Sequence, residues 1–393
     1  MSKGVNFFGA WETLDGIGRA ASLNIACLED AGVPLNKFIL SRPVARQSGK
    51  DTVIDDQLIR SLSHRINIFQ FSARWVPHYF AKLSDRALDG FYNIGYWVCE
   101  TPKIPDSWAY QSEYFSEIWT ASTFCQSAIA HSLKIPVIKI PHAIESRETT
   151  LRMTSRSSGA MFPTFTFLTI FNSYSDAERK NVLFAIRAFL KAHGDSPHVR
   201  LNVKASNLEH DPLLSEKLAL IAATHQNIEI IPGYLGNDAI HALYEQADAY
   251  ISLHRAEGFG LTISDAMSRG IPVITTGYSG NMEFCEASDT TLVAYELRSV
   301  GHERLRYRRD DIWAEPDMAD TVRAFKEMVQ DYPRKLRLAA NARERIARRF
   351  SIEQIGSLMR ERIDLINSNF SFTNDMSDRR LDREVGVYDT YGF

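Results

Sequence analysis

The chain has 393 residues, 45% of them hydrophobic and 24% charged, enough for one or two ordinary domains with a sizeable core. Its net charge of -3 gives no general pull toward nucleic acid. Four scattered cysteines (Cys27, Cys99, Cys125, Cys285) form no CxxC pair, which suits a reducing compartment and indicates neither a zinc site nor a disulfide framework.

At the N-terminus, residues 1–10 carry one lysine and only a short apolar run, so no secretory signal is read there. No apolar stretch is long enough to cross a bilayer. The expected location is the cytoplasm, with any membrane contact peripheral and at the inner face.

Short apolar runs alternate with amphipathic stretches, the pattern of α/β folds with parallel sheets. The first half predicts a strand at 5–9, a helix at 16–30 and strands at 66–71, 94–99, 117–120 and 137–140. Residues 145–163 are rich in Ser, Thr and Arg without an apolar period, the signature of a linker. The second half predicts a strand at 166–171, a helix at 178–193 that stops at Gly194, and strands at 200–204, 228–231, 249–253 and 271–275. The expected domains are 1–145, a linker at 146–163, 164–350, a helix at 351–369 crossing back to the first domain, and a polar tail at 370–393.

In Gly16-Ile17-Gly18-Arg19-Ala20-Ala21 the G-x-G-x-x-A dinucleotide pattern is met formally. Trp11 to Asp15 separate it from the strand, too many residues for that tight turn, and Lys37 to Ser41 end the second strand without the acid the motif requires. The loop reads instead as the start of a helix whose N-terminus faces phosphates across a cleft. Arg19 is either a phosphate contact or a surface residue.

Glu257-Gly258-Phe259-Gly260-Leu261, with Asp265 and then Gly270-Ile271-Pro272-Val273, puts two carboxylates on either side of a glycine turn that opens a helix. The amides at that helix start suit an anion. Thr262 to Asp265 also fits a capping box, which would make Asp265 structural. A second small-residue turn, Thr276 to Asn281, follows the next strand, and both turns lie where ligands bind in open α/β sheets.

This segment, EGFGLTISDAMSRGIPV, resembles the E-x7-E motif of retaining glycosyltransferases of family 4, with Asp265 in place of the second glutamate. The resemblance implies the GT-B fold: two Rossmann-like domains with a deep cleft between them. It implies that Glu257 meets donor-sugar hydroxyls and Asp265 the nucleotide ribose. Gly258, Phe259, Gly260 and Leu261 would line the sugar and diphosphate, and Gly16 and Gly18 would approach the phosphates.

By the same resemblance, Lys180 and its neighbour Arg179, in FNSYSDAERKN, offset charge on the departing diphosphate. A solvated helix start is the plainer reading of Arg179. Lys204 ends a predicted strand and is a further cleft-facing candidate. The base would pack near Gly233, Tyr234 and Leu235. Glu100, in GYWVCETP, stands where relatives contact the sugar or acceptor, and is otherwise a strand-end acid capping a helix. His142 reads as lining the hinge, and His254 and Arg255 as lining the pocket. The basic stretch at 334–349 is by default a solvated amphipathic helix, with weak attraction to anionic lipid second.

The chain contains no D-x-D triplet, and no metal or other cofactor is expected. The partners implied are a nucleoside-diphosphate hexose and a glycan or lipid-linked oligosaccharide acceptor, as in bacterial surface-polysaccharide mannosyl- and rhamnosyltransferases. The chemistry implied is same-face substitution, with Glu257, Lys180 and Glu100 as the catalytic candidates. A GT-B epimerase or phosphorylase, and a sugar-nucleotide-binding subunit without turnover, are the rivals.

Overall fold

The computed structural model describes residues 4–13, 15–40, 52–146, 164–303 and 307–369. The expected linker at 146–163 and tail at 370–393 fall almost wholly outside them.

The first lobe carries a parallel sheet of β1 (Val5–Gly9), β2 (Leu35–Ile39), β3 (Ile66–Gln70), β4 (Tyr92–Tyr96), β5 (Glu117–Thr120) and β6 (Val137–Lys139), in the order β2-β1-β3-β4-β5-β6. Every residue of β1 and β3 is buried, as expected when helices cover both faces. Its helices are α1 (Gly16–Asp30), α2 (Asp56–Ser61), α3 (Val76–Tyr79), α4 (Asp106–Gln111) and α5 (Thr123–Ala130).

The second lobe carries β7 (Phe165–Asn172), β8 (Val199–Ser206), β9 (Ile228–Pro232), β10 (Ala249–Ser252), β11 (Val273–Thr276) and β12 (Thr291–Val293). They run in the order β12-β11-β10-β7-β8-β9, all parallel. Counted within the lobe this is the 3-2-1-4-5-6 order of a Rossmann sheet, and the order reverses between β7 and β10. A small antiparallel pair, β13 (Tyr295–Ser299) and β14 (Ile312–Pro316), is added beside it. Its helices are α6 (Ala177–Lys180), α7 (Val182–His193), α8 (Pro212–Thr224), α9 (Asn237–Gln246), α10 (Leu261–Ser268), α11 (Met318–Gln330) and α12 (Tyr332–Arg349).

The helix expected at 178–193 is in fact two. Asn181, at φ 58°, breaks it, and a one-turn α6 stands apart from α7. Asparagine tolerates the left-handed region because its short polar side chain bonds locally. The break sets Arg179 and Lys180 on a separate turn at the mouth of the sheet.

A last helix, α13 (Ile352–Asn369), lies along α1 of the first lobe. Ile355, Met359, Ile363 and Ile366 supply its apolar stripe. Arg360 donates to Ala31 O at 2.7 Å, and the Arg362 guanidinium pairs with buried Glu117 of β5. One buried apolar cluster therefore runs from Val5, Ile68 and Trp119 through Phe259, Phe284 and Phe350 into α13, so the two lobes share a core.

The basic face of α12 is largely paired. Arg345 bonds Asp289 at 2.8 Å, Arg349 bonds Glu286 at 2.8 Å, and Arg334 bonds Asp331 at 3.3 Å. Charge neutralised this way leaves less to attract anionic lipid.

Candidate active site

The chain leaves β10 at Ser252 and runs through His254, Arg255 and Ala256 to Glu257, while its neighbour β7 leads into α6. Ligands in open α/β sheets bind where the strand order reverses, and four charges converge at that point here. Lys180 Nζ lies 2.5 Å from Glu257 Oε1, and Arg179 Nη1 lies 3.2 Å from Glu257 Oε2. Glu100, from the first lobe just past β4, reaches Arg179 Nη2 at 3.9 Å. The structure thus brings Glu257, Lys180, Arg179 and Glu100 into one cluster.

Arg179 is only 3% exposed, so it is not the solvated residue of the plainer reading. Its guanidinium donates to Ala256 O at 2.6 Å and Ser175 O at 2.8 Å. Such charge in a dry pocket persists only when paired and hydrogen-bonded. Burial alone would raise the Glu257 carboxyl, but Lys180 and Arg179 outweigh it and hold the group at about 2. Burial lowers the Lys180 ammonium, and Glu257 opposes part of that drop. His254 is wholly buried, with Nδ1 unpartnered among the described residues, and burial pulls it down to about 4.

The second carboxylate is held differently. Gly260, at φ +100°, starts α10, and no capping box forms. Helix entry at Leu261 puts Thr262 inside the first turn, so it cannot serve as the cap. The Asp265 carboxylate instead receives both terminal nitrogens of Arg19, from the first turn of α1 in the opposite lobe. Glu145 stands 3.9 Å from the same guanidinium, and Arg269 donates to Asp265 O at 2.6 Å.

The expectation that the α1 N-terminus faces phosphate meets a competitor. Asp15 caps the helix, accepting from Ile17 N and Gly18 N at 3.0 Å each. Two amides are thereby taken by a carboxylate that is itself anionic. Gly18 packs on the loop before it, since a Cβ there would stand 2.2 Å from Thr13 O, whereas a Cβ on Gly16 would meet nothing within 4 Å.

The lobes close on Gly258. Its carbonyl accepts from Ser122 Oγ at 2.7 Å, and a Cβ on it would stand 1.9 Å from Val98 Cγ1 of the first lobe. This close approach is the visible need for a glycine here. Phe259 is buried edge-on against His142, at 5.2 Å between ring centres, and beside Phe284. His142 is stacked on Tyr96, and burial, with a contribution from Arg19, lowers it to about 3.

Lys204 does not point into an open cleft. It is fully buried at the end of β8, where its ammonium donates to Gly233 O and, at 3.1 Å, to Ser206 Oγ. It props the loop expected to meet the base, in which Tyr234 is 54% exposed and its hydroxyl donates to Asn207 at 2.5 Å. Leu235 is half-buried beside it.

Sequence reading missed the role of Asp176, and named Ser279 only within the turn at 276–281. Asp176 caps α6 at φ 67°, and the Ser279 hydroxyl accepts the Glu257 amide at 2.8 Å. The Ser-Asp pair ahead of Ala177 was a cap signal. Ser279 carries no local signal, because its partner is 22 residues away.

Two Rossmann-like lobes with a charged cluster at the switch point make up the GT-B fold. The chain belongs to the family described as Family 4 Glycosyltransferase in conflict systems, which matches residues 145–356.

Over 113 residues it is 32% identical to the UDP-N-acetylglucosamine–peptide N-acetylglucosaminyltransferase GtfA subunit of Streptococcus pneumoniae, a stretch covering 28% of this chain and 21% of that protein. Over 111 residues it is 33% identical to the lipopolysaccharide core biosynthesis mannosyltransferase LpsB of Rhizobium meliloti, covering 28% of this chain and 27% of that protein. The matched stretches thus span about a fifth to a quarter of these relatives. In fold the chain is similar to Anabaena HepE in complex with UDP and glucose, with TM-score 0.65, 12% identity, and coverage of 92% of this chain and 99% of that one.

Proposed function

We propose that this glycosyltransferase moves a hexose from a nucleoside-diphosphate sugar to a hydroxyl of a glycan or lipid-linked oligosaccharide, with retention at the anomeric carbon and a role in surface polysaccharide synthesis. The observation that carries the reading is the convergence of Glu257, Lys180, Arg179 and Glu100 at the switch point. Glu257, kept ionised by its two cations, accepts from donor-sugar hydroxyls. Lys180 exchanges Glu257 for a diphosphate oxygen and offsets the charge that grows as the diphosphate departs, while buried Arg179 supplies a fixed positive field.

The departing diphosphate takes the acceptor proton on the same face of the sugar. Glu100 orients the incoming hydroxyl. These cations serve where other transferases use a metal, so no cofactor is required. Asp265 binds the ribose diol once Arg19 has left it. Work at the inner face of a membrane would suit a lipid-linked acceptor.

A second reading, a subunit that binds sugar nucleotide without turnover, draws on the shorter acid at Asp265 where the family motif has glutamate and on the missing upstream arginine. Thermal shift with UDP-, GDP- and dTDP-sugars, followed by donor hydrolysis and transfer assays on wild type and Glu257→Ala, separates the two. Stabilisation and turnover by wild type, lost in Glu257→Ala, supports the transferase. Stabilisation of both proteins without turnover by either supports the subunit. No stabilisation by any donor overturns both.

A further inference from the structure

Helix α6 is a single turn, too short to hold itself in place by its own hydrogen bonds. It is bracketed by two non-glycine residues in the left-handed half of the backbone map, Asp176 at φ 67° and Asn181 at φ 58°. Such conformations cost free energy and persist only when the surroundings impose them. Yet this turn carries Arg179 and Lys180.

What imposes it is the segment leading to Glu257. Arg255 N donates to Arg179 O at 2.8 Å, and Arg255 Nη1 donates to Glu178 O at 2.9 Å. One residue therefore grips two successive carbonyls of α6, by backbone and by side chain. The guanidinium is itself fixed from the other side. Its Nε lies 2.6 Å from Glu315 Oε2, its carbon lies 4.9 Å from the centre of the Trp313 ring, and Arg255 O accepts from Ala314 N at 2.9 Å. All three anchors belong to β14, the antiparallel addition to the Rossmann sheet. Its planar fork lets Arg255 face Glu315 with one edge and Glu178 with another while stacking on Trp313, which a lysine cannot do.

We propose that Arg255 is a positioning residue. Through β14 it clamps the strained α6 turn so that Lys180 and Arg179 stand against Glu257, where the donor diphosphate would depart. Arg255 touches no substrate in this scheme. It acts through the backbone carbonyls of Glu178 and Arg179. The kinetic consequence rests on the transferase reading above, whereas the clamp itself does not.

The test compares Arg255→Lys, Arg255→Met and Glu315→Gln with wild type by hydrogen–deuterium exchange over residues 176–181 and by steady-state kinetics, with thermal melts to select folded variants. Arg255→Met is expected to speed exchange in that segment at least about tenfold, leaving the remaining sheet amides protected. It is expected to lower kcat about tenfold or more while donor KM moves less than about threefold, because the cations act on charge that develops in the transition state. Arg255→Lys should recover little, since it keeps the charge and loses the fork. Glu315→Gln, which removes the charge facing the Arg255 guanidinium, should shift both readouts in the same direction by less. If Arg255→Met does not fold, Arg255→Lys and Glu315→Gln carry the comparison.

Unchanged exchange over 176–181 in the folded variants overturns the clamp, and faster exchange with wild-type kcat overturns its positioning role. Faster exchange in a protein whose wild type transfers from no donor leaves the clamp standing and removes the transferase reading.

Discussion

The two carboxylates at either end of the glycine turn look equivalent on paper and are held in opposite ways. Glu257 is neutralised from within its own lobe, by Lys180 and Arg179 on the one-turn helix α6. Asp265 is neutralised from across the cleft, by Arg19 of α1. The first arrangement lies within one lobe, and the second bridges the two. Each end also shelters a buried neutral histidine, His254 near Glu257 and His142 near Arg19.

Removing each acid in turn is the most forceful way to break the comparison. Glu257→Ala strands a buried arginine and a mostly buried lysine, and a buried pair that loses one partner costs about 3–5 kcal/mol. Asp265→Ala leaves Arg19 with a third of its side chain in water and Glu145 3.9 Å away, so its loss should be the smaller one. Chemical denaturation should rank them in that order; equal losses would mean that the cleft pair is as dry as the inner one.

Acid comes next. His254 and His142 have folded-state values near 4 and 3, below the ordinary 6.5. The unfolded chain therefore binds protons that the native state refuses, and stability rises with pH across that window. Each unit of depression corresponds to about 1.4 kcal/mol, so the fold should weaken progressively from pH 6.5 toward pH 4. Glu257, held at about 2 in the fold against 4.5 in the unfolded chain, adds a loss of the same sign as pH falls through 4.5. Melting temperatures of wild type and His254→Gln should converge in acid; parallel curves would deny the histidine its part.

The smallest effect tests the cleft pair alone. Arg19→Met frees Asp265, and a ligand that must first displace an internal partner binds more weakly by the fraction already displaced. The nucleoside diphosphate that stabilises the wild type should bind several-fold tighter to this variant, while pyrophosphate, which lacks ribose, should bind as before. Weaker binding of both would make Arg19 a phosphate contact and not a competitor for the ribose site.

Much of the framework was legible in the sequence because it is local. The strand at 5–9 and the helix at 16–30 match β1 and α1 residue for residue, and the strands of the second half lie within a residue or two of those seen. Apolar periodicity and helix caps act over a few residues, so a window of that size holds the signal. The break at Asn181 escaped because a left-handed asparagine inside an otherwise helical run has no pattern of its own. The β13–β14 pair escaped because the alternation of Tyr295 and Leu297 with Glu296 and Arg298 spans only five residues, and all five are exposed.

By itself the sequence determined the α/β class and the division into two similar halves, which rest on short-range pattern, while the GT-B plan and the cations expected beside the acidic motif came from its resemblance to family 4. Only the tertiary structure decided who pairs with whom. Arg19 meets Asp265 across 246 positions, and Lys180 meets Glu257 across 77. Lys204 turns to the Gly233 loop, and Gly258 serves the contact with Val98. Coulombic attraction and packing act through space, and a linear chain states which charges it carries but not which of them folding makes neighbours.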